Sequence, residues 1–130
     1  MKRAGSGQRF LFFALLCAAP WVLYAQEGHP YEGTWRGTIG SGEQARPIVI
    51  VMEYDGDAIT GLINPGRNSY RFAEVEHDAP KWLLDVTATT RAGNEIAFSA
   101  TMHDIGARNR YLSGNWHEAG QDLPFRVTRE

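Results

Sequence analysis

The chain has 130 residues, with 13 Lys and Arg against 15 Asp and Glu, a single cysteine and a formal net charge of −2. That length fits one domain, and one cysteine excludes an intramolecular disulfide framework. The acidic balance argues against nucleic acid or an anionic membrane surface as the partner.

Lys2, Arg3 and Arg9 precede an apolar run from Phe10 to Ala25 broken only by Pro20. A basic segment followed by an apolar one of this length is the pattern of a secretory signal peptide. The expected cleavage point lies after Ala25, with Leu23 larger than the small residue usual at that place. An uncleaved anchor is the alternative, although the run is short for a membrane span and holds Pro20. Cys17 lies inside it behind Leu15 and Leu16, which do not fit the small residues of a lipidation site. Cleavage removes three of the basic residues and no acidic one, leaving ten against fifteen, a net charge near −5. The expected organisation is therefore a leader (1–25), a free lead-in (26–30) and one cysteine-free domain (31–130), periplasmic or secreted. With no disulfide, its core alone must hold it together.

Tyr31 to Ile39 alternates, with Tyr31, Gly33, Trp35, Gly37 and Ile39 on one face, which predicts a half-buried strand. Residues 40–45 form a Gly-rich loop. Pro47 opens a second strand, tolerated there because its missing N–H is not needed, and Ile48 to Met52 is apolar on both faces. Asp55-Gly56-Asp57 is a hairpin turn. Ala58 to Asn64 is the third strand, with Gly61 as a bend or bulge. After the turn Asn64-Pro65-Gly66-Arg67-Asn68, the fourth strand runs from Ser69 to Glu76. There Tyr70 and Phe72 set one register and Val75 the other, which a bulge near Ala73 reconciles.

Trp82, Leu84, Val86 and Ala88 share a face of the fifth strand, and Ile96, Phe98, Ala100 and Met102 one of the sixth. Arg91-Ala92-Gly93-Asn94 joins the two. The seventh strand, Arg110 to Glu118, carries Leu112, Gly114 and Trp116. The eighth carries Leu123, Phe125, Val127 and Arg129. No stretch from 26 onward holds helical apolar spacing for three turns. The fold expected is all-β, an eight-stranded antiparallel up-and-down meander barrel. A β-sandwich is the rival, and it needs long crossovers that these loops do not supply.

Gly33-x-Trp35 on the first strand and Arg129 at the end of the last resemble the signature of the calycin barrels: lipocalins, fatty-acid-binding proteins and avidins. The resemblance implies that Trp35 and Arg129 close one end of the barrel, with Gly33 and Gly37 letting the first strand bend. Size and strand length are nearer to avidin. Over 31–130, the order Gly33-x-Trp35-x-Gly37, Tyr54-Asp55-Gly56-Asp57-x-x-Thr60-Gly61, Leu112-Ser113-Gly114-x-Trp116 and Phe125-x-x-Thr128-Arg129 is similar to small exported bacterial domains of uncharacterised function. Some of those precede secreted α/β-hydrolases as accessory domains. The chain departs from that arrangement in having no hydrolase sequence after Arg129, and the residues by which avidins hold biotin are not recognisable in it.

The sequence offers little for catalysis. His77-Asp78 and His103-Asp104 fall on the end where the first strand begins, beside Asp55 and Asp57, but their spacing matches no metal-ligand motif. No metal or cofactor is expected. Ser41, Ser69, Ser99 and Ser113 lie in no nucleophile elbow. Glu74 and Glu76 share a strand face as a glycosidase pair would, yet on an outer wall they read as solubilising charge. Gly40-Ser41-Gly42 lacks the lysine and helix of a phosphate loop. The aromatic residues, Trp35, Trp82 and Trp116 among them, either fill a core or line a pocket.

If Trp35 and Arg129 close one end, the other is ringed by the loops 40–45, 64–68, 91–94 and 118–122. Asn64, Arg67, Asn68, Arg91 and Asn94 are then candidate ligand-binding residues, although turns of this composition occur in any fold. Strand two must also present either Val49 and Val51 or Ile48 and Ile50 outward, an apolar strip for a partner, a homodimer or the lead-in. The leading expectation is a non-catalytic exported barrel binding a small apolar ligand or an envelope component. The alternative is a protein-interaction module, an inhibitor or accessory partner of an exported enzyme, acting through its outer wall. An enzyme is the third reading, and the residues give it no visible machinery.

Overall fold

The computed structural model describes residues 28–130; the expected leader, with Cys17, lies outside the described residues. Eight strands follow one another: β1 (Gly33–Ile39), β2 (Arg46–Tyr54), β3 (Ile59–Ile63), β4 (Tyr70–Asp78), β5 (Leu83–Thr89), β6 (Glu95–His103), β7 (Tyr111–Glu118) and β8 (Gln121–Arg129). Each is antiparallel to the next, and β8 returns to pair with β1, so the sheet closes into a meander barrel and not a sandwich. Among the described residues no helix is long and apolar enough to cross a membrane.

Strand alternation sorts the side chains. Trp35 and Ile39, then Ile48, Ile50 and Met52, then Ile59 and Ile63 point into the lumen; Leu84, Val86, Phe98, Leu112, Trp116, Phe125 and Val127 complete it. Val49 and Val51 are the outward pair of β2 and are half-buried, and Leu62 on β3 lies opposite Val51. The lumen is filled with side chains rather than hollow. Trp116 lies parallel to Phe98 at 5.6 Å between ring centres, and Phe125 packs against both.

The register shift of β4 against β5 falls between Phe72 and Glu74, which places the expected bulge at Ala73. The extra residue lets Phe72 and, three positions on, Val75 both turn inward. Gly61 is no bulge, because the β2–β3 register runs unbroken through it. Its missing side chain leaves room for the Phe72 ring, which a Cβ there would strike.

Two further expectations change. Tyr31 precedes β1 in a turn, yet it is fully buried and closes the barrel from outside the strand. Trp82 also lies outside its strand. It ends the 3-10 turn Ala79–Lys81 in a left-handed conformation, φ 51°, and packs half-buried against the core.

The seam between β1 and β8 explains both glycines of the opening motif. Gly33 has φ +127°, which side-chain-bearing residues rarely adopt. Gly37 needs no special backbone angle. A Cβ on it would run into the carbonyl of Arg126 and the backbone of Val127, so glycine is what lets the two strands meet. Bending, expected of both glycines, therefore describes Gly33 alone.

Trp35 has no exposed surface and donates from Nε1 to the Tyr31 carbonyl at 2.8 Å. Trp35→Ala should lose about 3–5 kcal/mol of stability in urea unfolding. A loss below about 1 kcal/mol would show that the ring does not hold the core.

Candidate functional site

The two barrel ends differ in chemistry. At the end where β1 begins, the chain folds over the opening as a plug. Arg129 pairs with Trp35 across the seam, and its Nε donates to the Glu32 carbonyl at 2.7 Å. Arg110 does the same to the Pro30 carbonyl at 2.7 Å. Arg110 thereby ties down Pro30, the last residue of the expected free lead-in, and Arg129 fixes the two-residue approach to β1 that follows it. His29 stacks on Tyr54 with 4.0 Å between ring centres, and His77 meets Tyr31 edge-on at 4.9 Å. Trp82 tilts against the same group. Within this plug the Tyr31 hydroxyl and the His77 Nε2 are buried with no hydrogen-bond partner.

Burial governs the ionisation there. It pushes the Tyr31 hydroxyl up to about 12. Burial, followed by the nearby His77, lowers the His29 pKa from its ordinary 6.5; Glu32 raises it and Arg110 lowers it to a smaller degree. The same plug holds His77 but does not gather it with Asp55, Asp57 and His103. Among the described residues no group of three or more His, Cys, Asp or Glu is placed to hold a metal. His103 instead bonds the Ser113 hydroxyl at 3.0 Å and stacks on Tyr111.

At the opposite end a depression of about 340 Å³ opens between the loops, lined in part by Asn64, Asn68 and Arg91 with Tyr70, Ile39 and Pro47. Three of the five sequence-predicted rim residues thus meet at one mouth. Arg67 and Asn94 are exposed and do not line it. Asn94 instead closes its own hairpin, its carbonyl accepting from the Thr90 N–H at 2.8 Å. Asn64, with φ 50°, accepts the Val49 N–H through Oδ1 at 3.1 Å, so its amide nitrogen is the end left for other contacts.

One wall of the mouth is fixed by Glu118, which receives Arg46 at 2.8 Å and the Trp116 indole at 3.0 Å. Burial opposes ionisation of Glu118, but those hydrogen bonds outweigh it and its pKa is lowered. Tyr70 is pushed up to about 12, mainly by burial and then by Glu118, with Arg46 opposing. It therefore stays protonated and able to donate at any physiological pH.

Glu74 and Glu76 stand exposed on the outer wall. With Asp85, Ser99, Asn115 and His117 they edge a shallow trough of about 370 Å³. The trough follows from the small outward residues of β6, Ala97 and Ser99, set between larger neighbours.

A further opening was not signalled by the sequence. Only Leu62 with Arg71 and Ile63 with Tyr70 pair across β3 and β4. Beyond them the strands part, leaving a cleft of about 510 Å³ lined by residues that include Ile59, Thr60, Phe72, Val75 and His77.

No protein family, curated protein or solved structure matches this chain.

A group whose folded pKa lies below its unfolded value gives stability that is present above the unfolded value and lost on acidification through the folded one. For His29, stability should therefore fall as pH drops below 6.5. His29→Phe keeps an aromatic ring on Tyr54 and removes the titration. Urea midpoints at pH 7.5 and pH 5 should differ less for His29→Phe than for the native chain, and equal differences would exclude the effect.

Proposed function

We propose that this chain is a non-catalytic binding domain, exported behind its leader, that takes a small ligand at the mouth bounded by Asn64, Asn68 and Arg91. The convergence of these groups carries the reading: polar side chains expected from the sequence meet over the apolar and aromatic surface of Ile39, Pro47 and Tyr70. Small-molecule sites commonly combine an apolar surface with a few oriented polar groups, in volumes from about 300 Å³ upward. Because the lumen below is packed, the ligand rests in the mouth instead of entering the barrel.

The donors set its chemistry. Arg91, the Asn64 and Asn68 amides and the protonated Tyr70 hydroxyl favour a compact, mostly apolar molecule bearing a carbonyl, carboxylate or similar acceptor. The closed meander, with Gly33, Trp35 and Arg129 at its seam, supports placing the domain among calycin-like barrels. The outer-wall alternative, in which the domain engages another protein, has separate support in the cleft between β3 and β4.

Native mass spectrometry of protein recovered from the exported fraction tests the ligand reading. A small-molecule adduct should be present and should be lost in Asn68→Ala/Arg91→Ala, with both proteins folded by circular dichroism. An empty native chain, or an adduct that survives in the double variant, would overturn it.

A further inference from the structure

The barrel is closed all round, but its ladder is short between β3 and β4, and beyond that ladder two strand edges run without a partner. β4 keeps its ladder with β5 from Phe72 to Asp78, while on its other side it is paired only at Tyr70 and Arg71. About seven residues of β4 thus present one unpaired edge, and Ile59 to Gly61 present another across the cleft. Unpaired strand edges are templates for a further strand, because their backbone donors and acceptors already stand at ladder spacing.

We propose that the β4 edge accepts an extended segment of a partner polypeptide whose alternate residues are basic. This inference rests on the outer-wall reading and adds the edge and the partner's chemistry. An added strand would continue the β5–β4 ladder, with its inward side chains meeting Phe72, Val75 and Ile59, which calls for small apolar residues there. Its outward side chains would lie beside Glu74 and Glu76, which are exposed and face outward. Opposite charges across neighbouring strands favour pairing and like charges oppose it.

The same carboxylates argue against a second copy of this chain as the occupant. Two β4 edges joined in register would bring Glu74 and Glu76 of each copy near those of the other. The edge also lies within a cleft bounded by β3, which suits one slender strand better than the wall of another barrel.

The test uses the intact protein and a blocked eight-residue peptide alternating Lys and Val, with a Glu and Val counterpart as control. Titration calorimetry should show binding of the lysine peptide, and amide exchange should slow within 59–61 and 72–78. Glu74→Lys/Glu76→Lys should weaken that binding by about tenfold or more and favour the glutamate peptide, since cross-strand charge pairs contribute up to about 1 kcal/mol each. N-methylation of the peptide at alternate amides should abolish binding on one of its two edges.

Binding that tolerates methylation of either edge, or that protects a different part of the wall, would overturn the strand-addition inference and leave the outer-wall reading standing. No peptide binding together with an empty outer wall in pull-downs under native conditions would sink both. A concentration-dependent dimer that protects the β4 edge would replace the partner strand by a second copy and so refute the proposal.

Discussion

Closing a sheet upon itself requires its first and last strands to meet, and in this chain that contact depends on the absence of a side chain at Gly37. Any Cβ there would collide with the β8 backbone at Arg126 and Val127. The register that follows sets Trp35 opposite Arg129 and Gly37 opposite Val127, and so fixes which residues of β1 and β8 share the lumen. Arg129 can then reach the Glu32 carbonyl, across a position where Gly33 leaves room for the guanidinium. The plug depends on the seam in turn: Arg129 accepts its place in the ladder beside Arg110, its N–H donating to the Arg110 carbonyl, and both arginines hold residues 30–32. A salt bridge of Arg36 with Glu130 adds little at this end, since both side chains are more than half exposed.

The same sheet handles its opposite wall in another way. Between β3 and β4 most of the ladder is missing, yet the apolar lumen stays covered because the Phe72 ring occupies the space above Gly61 and packs edge-on to Phe98. Packing has replaced hydrogen bonding on the inner side of the gap. On its outer side the edge carries features that protect strands from indiscriminate pairing: a bulge at Ala73, a short β3, and charge at Glu74 and Glu76. These features leave room for selective pairing with a strand of the opposite charge.

The fold was largely legible because strict alternation identifies a strand and its inner face at once. Trp35, Ile50, Phe98 and Val127 each follow from that rule, and the conflict between Phe72 and Val75 was enough to place a bulge. Tyr31 and Trp82 lie outside the strands that alternation assigns them to, for a shared reason. Both continue an alternating pattern beyond the last ladder residue, and burial alone cannot tell a strand side chain from one that folds in from a turn. The mouth was half legible. Asn64, Asn68 and Arg91 meet there, but Arg67 and Asn94 point elsewhere because turn geometry, not composition, sets side-chain direction. The β3–β4 cleft was illegible, since a missing ladder leaves no trace in the hydrophobic pattern of either strand.

The contrast between the two ends narrows where function can reside. At the plug the polar atoms of Tyr31 and His77 are buried without partners, a cost of about 1–3 kcal/mol for each such group. Aromatic packing among His29, Tyr31, Tyr54, His77 and Trp82 surrounds those atoms, and the same burial lowers the His29 pKa. An end built in this way gains stability by excluding solvent, and admitting a ligand would mean undoing the contacts that hold Arg110 and Arg129 to the chain. At the mouth the requirement is reversed. Arg46, Glu118 and Trp116 satisfy one another and make a fixed wall, so the neighbouring side chains can engage a ligand without disturbing the core. The lumen beneath needs no cavity for this, because the stack of Trp116, Phe98 and Phe125 gives the mouth a rigid base.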